Sequence, residues 1–132
     1  GCETGEIKAA AKFPENIKIE LFGSPSFVKP GKPDERDVEL AKLGLRKARD
    51  AMLSGDYDIV ILDEVNVALK MGLLDLEEVM DLIRKKPEHV DLVLTGRYAP
   101  PELIDVADLV SEIREVKHYF RKGVRARKGI EY

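Results

Sequence analysis

Two adjacent carboxylates close an apolar run. Tyr57–Glu64 reads YDIVILDE, and after Val65 comes the polar Asn66, leading into helix-forming residues. Hard cations take oxygen ligands, so Asp63 and Glu64 are candidates to hold Mg²⁺ at a Mg²⁺–phosphate site, directly or through water. The competing reading has Asp63 merely N-capping the next helix, as Asp often does. A second group has matching chemistry. Thr95-Gly96-Arg97 follows the apolar VDLVL, giving a glycine turn with a cation just beyond it. Arg binds phosphate through paired hydrogen bonds and could clamp charge that develops in a reaction. Its alternative is a surface ion pair with Asp63 or Glu64. Nucleotide sites of this kind add a glycine-rich loop ending in Gly-Lys-Ser/Thr. These 132 residues contain no such loop.

Positioning these groups requires strands whose carboxyl ends share an edge, where open parallel sheets bind ligands. The unbroken apolar run before Asp63 reads as a strand buried on both faces. Val90–Leu94 reads as another. Asn16–Phe22, with its alternating IKIELF, and Leu109–Ile113 are further strand candidates. Helices are expected over Glu6–Phe13, from an Asp34 cap to Leu53 with Gly55 beyond, over Asn66–Met71, over Leu76–Lys86 after an Asp75 cap, and from Pro100-Pro101 to about Ala107. Gly23–Pro33, with three prolines and two glycines, reads as a functional loop. Strands alternating with helices predict one α/β domain over residues 1–132, with a parallel sheet and helices on both faces. Glu64, Arg97 and Phe27 should then lie on one edge.

Composition narrows the class. Charged residues are 36% of the chain, of both signs, and the net charge is −3. A wholesale nucleic-acid coat is therefore not expected. No apolar run reaches membrane-spanning length. The single Cys2 excludes an intramolecular disulfide and fits a reducing cytoplasm. The tail is different. Arg114, Lys117, Arg121, Lys122, Arg125, Arg127 and Lys128 face a single acid, Glu115, with His118, Tyr119 and Phe120 among them. Such a run could grip nucleic acid or a polyphosphate, or be a solvated terminus.

Three blocks carry a family resemblance: LDEVNVALKMGLLDLEEV, then HVDLVLTGR, then LVSEIREVKHYFRKGVRARKGIEY. In order and spacing they resemble the P-loop-containing corrinoid (cob(I)alamin) adenosyltransferases, weakly from about Gly5 and strongly from Tyr57 to Tyr132. The resemblance implies a P-loop NTPase (RecA-like) fold. It implies transfer of the 5′-deoxyadenosyl group of ATP to cobalt(I) of a corrinoid, with triphosphate leaving. Glu64 would sit on the Mg²⁺ of ATP with Asp63 beside it, and Arg97 on the phosphates. Phe27 would lie over the corrinoid, and His118 and Arg125 near nucleotide or corrinoid. A flavoprotein or other reductant and a homodimer are the implied partners. A non-catalytic relative that binds corrinoid or a protein, and an ATPase acting on nucleic acid, are the alternatives.

The chain also departs from the family pattern. Lys29 stands where well-studied bacterial members place Trp, Arg121 replaces an Asp, and Glu115 replaces a Pro. The family's first strand and phosphate loop would precede Gly1, so the chain reads as beginning in mid-fold. Residues 1–132 alone are then expected to bind ATP·Mg²⁺ poorly. A sheet without its first strand should expose apolar edges, to be covered by another copy or by Gly1–Phe13.

Overall fold

The computed structural model describes residues 4–23 and 33–130, which fall into two compact units. One unit runs from Leu21 to Asp108. The other joins the residues up to Glu20 with those from Leu109 onward.

The larger unit is α/β, with a small parallel sheet and helices, consistent with a P-loop NTPase-like fold. Strand β1 (Ile59–Leu62) pairs in parallel with β2 (Asp91–Leu94), in register from Ile59↔Asp91 to Leu62↔Leu94. Ahead of β1 runs a long helix, Glu35–Ser54. A short helix, Val65–Lys70, and a third, Leu76–Arg84, lie between the strands, and a fourth, Pro101–Val106, follows β2. Counting Gly5–Ala10 of the other unit as α1, these are α2 to α5.

The helix ends follow the sequence chemistry. Asp34 accepts a hydrogen bond from the Arg36 N–H (3.3 Å) at the start of α2, and Gly55 ends it at φ 81°. Only a residue without Cβ takes that conformation without strain. Asp75 and Glu78 form a reciprocal capping box at α4. Gly44, mid-helix in α2, leaves room for the Phe22 ring, which a Cβ would meet at 2.8 Å.

Pleating sends alternate side chains to opposite faces. Val60 packs with Met52, Leu82 and Val90 as one core cluster. Leu62 and Leu94 pack against a second, made of Val65, Leu74, Val79 and Leu103. Full burial of Met52, Leu82, Val79 and Val90 contributes about 1.5–3 kcal/mol each before entropy is charged. On the other face Ile59 and Ile61 are 55% and 60% exposed. Burial of β1 on both faces is therefore corrected: the described helices contribute a core to one face only. β1 and β2 lie side by side, with no gap between them.

Two strand expectations are also corrected. Ile17–Phe22 and Leu109–Ile113 form no strand, and Ile17, Leu21, Leu109 and Ile113 are exposed. Alternation supplies a face but no partner, and an unpaired extended segment gains nothing from the ladder. The smaller unit, which holds Leu109–Ile113 and the first segment as far as Glu20, contains α1 and a 3₁₀ turn over Tyr119–Lys122.

Candidate functional site at the carboxyl edge of the sheet

Parallel pairing in register makes both chains leave the sheet at the same edge. Asp63-Glu64 follows β1 and Thr95-Gly96-Arg97 follows β2. Glu64 and Arg97 therefore share the edge, as the alternating pattern predicts. The two ends are laced together. Thr95 donates its N–H to the Leu62 carbonyl (3.1 Å). Its hydroxyl donates to Asp63 Oδ1 (2.6 Å) and accepts from the Glu64 N–H (2.9 Å). Asn66 donates its N–H to the Thr95 carbonyl (3.2 Å) and its Nδ2 to the Gly96 carbonyl (3.1 Å).

Unusual backbone concentrates here. Glu64 has φ 59°, Gly96 φ 116° and Tyr98 φ 69°. Left-handed non-glycine residues cost energy and cluster at functional sites. Gly96 has a second reason to be glycine: a Cβ there would lie 3.2 Å from Glu64 Cα, 3.3 Å from Asn66 Cβ and 3.3 Å from Glu64 Oε2. The turn thus passes directly against the Glu64 carboxylate.

The bland alternatives fare differently from what sequence allows. Asp63 does not cap α3. Glu64 occupies that position without a side-chain bond, and Asp63 accepts from Thr95 instead. Among the described residues Arg97 forms no ion pair with Asp63 or Glu64. Its guanidinium lies 5.5 Å from the Tyr98 ring centroid, with Lys70 Nζ 5.9 Å from the same ring. Lys70 and Tyr98 also line a shallow cleft of about 500 Å³ with Leu69, Leu74 and Pro100.

None of the remaining candidates belongs to the described residues of this unit. Phe27 lies outside the described residues. His118 and Arg125 belong to the other unit. There His118 Nδ1 accepts from the Phe120 N–H (3.0 Å), opening the 3₁₀ turn, and Arg125 is exposed. Sequence reasoning passed over Asn66. It is 6% exposed, and its Oδ1 is buried without a partner. A polar residue two positions after the paired acids, at the start of a helix with apolar neighbours Val65 and Val67, was the available signal. Among the described residues no three His, Cys, Asp or Glu side chains group as metal ligands.

The parallel strands, one ending in paired acids and the other in Gly-Arg, define an α/β protein with its candidate groups on one sheet edge. The ATP:corrinoid adenosyltransferase BtuR/CobO/CobP family matches residues 1–132, and the chain belongs to it. A corrinoid adenosyltransferase of Pseudomonas aeruginosa is 36% identical over 129 residues, covering 98% of this chain and 63% of that protein. One from Sinorhizobium is 41% identical over 98 residues, 74% of this chain and 46% of the relative. The Escherichia coli K12 corrinoid adenosyltransferase is 34% identical over 119 residues, 90% and 60% respectively. The chain thus spans less than two thirds of these relatives' length. No described helix is long and apolar enough to cross a membrane.

Proposed function

We propose that residues 1–132 act as one α/β domain of an ATP:corrinoid adenosyltransferase. Cobalt(I) would attack C5′ of ATP, the C5′–oxygen bond would break, and triphosphate would leave with the electron pair as cobalt becomes cobalt(III). Cobalt(I) is itself a strong nucleophile, so no attacking side chain or general base is required of the protein. Its work is to hold the ribose carbon in line and to neutralise triphosphate. The observation that carries this reading is the laced edge, which sets Glu64 and Asp63 beside the turn bearing Arg97. The carboxylates offer the oxygen donors a hard cation prefers. Mg²⁺ bound there would offset charge on the phosphate oxygens. Glu64 would hold it, Asp63 would be kept in place by Thr95, and Arg97 would meet phosphate. Phe27, His118 and Arg125 are proposed toward corrinoid or nucleotide. A homodimer, a flavoprotein or other reductant, and a cytoplasmic setting belong to the same reading.

The test is adenosyl transfer to cob(I)alamin by the full-length gene product. Glu64→Gln removes a charge and little volume. It should cut Mg²⁺-dependent transfer at least tenfold while the thermal midpoint stays unchanged. Unchanged rates at limiting Mg²⁺ would remove Glu64 from the site.

A further inference from the structure

Asn66 is the most deeply buried polar side chain at the carboxyl edge, and the adenosyl-transfer reading does not use it. It is 6% exposed. Its amide has one orientation open to it. The Gly96 carbonyl can only accept, so the nitrogen end must face it, which leaves the oxygen end free. That oxygen, Oδ1, is buried and has no partner. A buried acceptor left unpaired costs about 1–3 kcal/mol, so such an atom calls for an occupant. The neighbourhood limits what that occupant can be. Glu64 Oε2 and Asn66 Cβ each lie 3.3 Å from one point, the position a Cβ on Gly96 would take. The Glu64 carboxylate at the same turn disfavours an anion there, and an acceptor oxygen needs a donor or a cation as its partner. The two together accept a cation or the waters bound to one.

We propose that Asn66 Oδ1 is a further oxygen donor of the divalent-cation site, binding the cation or a water on it, and that the Nδ2–Gly96 bond holds it there. The inference rests on the reading of Glu64 as a cation ligand and adds to that reading a neutral, buried donor. The pairing has a physical logic. A neutral oxygen adds a ligand without adding repulsion between carboxylates, and its tether to Gly96 links the cation's position to the turn that carries Arg97.

The chain allows a direct test. Within residues 1–132 the side-chain amides are those of Asn16 and Asn66, since there is no Gln. In ¹⁵N NMR of the protein titrated with Mn²⁺ alone, the Asn66 side-chain amide and the Glu64 and Gly96 backbone amides should broaden before the Ile59 and Asp91 backbone amides, at the opposite ends of the strands, do. Asn66→Ala should then weaken Mn²⁺ binding roughly tenfold, the scale of losing a supporting group at a metal. Asn66→Asp, which loses the same Gly96 bond but keeps an oxygen, should retain wild-type affinity or exceed it. Equal affinity in Asn66→Ala and wild type would overturn the proposal, leaving an ordered water as the partner. Equal loss in Asn66→Ala and Asn66→Asp would overturn it too, since only the tether would matter. The wild-type broadening pattern decides even if a variant fails to fold. Wild-type broadening unaffected by Glu64→Gln would sink the Glu64 reading itself, an outcome distinct from either of these.

Discussion

Leu109–Ile113 and Asp91–Leu94 are alike in composition, and the structure treats them in opposite ways. DLVL pairs with a parallel neighbour and turns Leu92 and Leu94 toward the core. LVSEI forms no strand, with Leu109 85% and Ile113 97% exposed. The difference lies in what surrounds each segment. β2 has β1 on one side and helices α2 and α4 supplying Met52 and Leu82 beneath. A strand is stabilised by cross-strand contacts and a covered face, so apolar residues without them gain neither. The comparison therefore separates a region held by packing from one held by local turns.

The largest effect should come from breaking the packed region. Met52 is fully buried between α2 and the sheet. Met52→Ala should lower unfolding free energy by about 2–5 kcal/mol, through lost transfer energy and the cavity left behind. Urea denaturation checks this. A loss below 1 kcal/mol would mean the cluster is loosely packed, and the contrast with the tail would weaken.

A smaller effect should come from the turn that joins the two strand ends. Gly96→Ala puts a Cβ 3.2 Å from Glu64 Cα at φ 116°. Backbone strain of this kind costs on the order of 1–3 kcal/mol. Displacement of Glu64 should also disturb whatever the edge binds. The expected outcome is a lower thermal midpoint together with loss of adenosyl transfer in the full-length protein. Loss of stability with transfer intact would show that the edge is not the site.

Much of this edge was legible in the sequence, for identifiable reasons. Caps are local chemistry, so Asp34, Gly55 and the Asp75 helix start could be read from residue type and spacing. The shared edge of Glu64 and Arg97 follows from strand–helix alternation. What was not legible depended on neighbours distant in sequence. The Asp63 carboxylate could equally have capped a helix, and only the meeting with Thr95, 32 residues on, decides against it. Asn66 becomes notable only when the Gly96 carbonyl arrives from the second strand. Ile17–Phe22 failed as a strand for the complementary reason. Its alternation describes a face, and no ladder is there to use it.

The smallest effect should come from the tail, and it tests the comparison from the other side. Ile113 and Val116 are 97% and 96% exposed. Side chains already in water on folding have no burial to lose. Ile113→Ala should therefore change unfolding free energy by no more than about 0.5 kcal/mol, as surface substitutions do. The same urea titration used for Met52→Ala measures it on one scale. A loss above 1 kcal/mol would mean Ile113 is covered in solution. Repeating the titration across a hundredfold range of protein concentration would then identify the cover. A loss that grows with concentration marks a second copy of the chain, because association stabilises by mass action. A loss independent of concentration marks a contact within the chain. In that case Leu109–Ile113 would be a packed segment after all, and its likeness to β2 would extend from composition to structure.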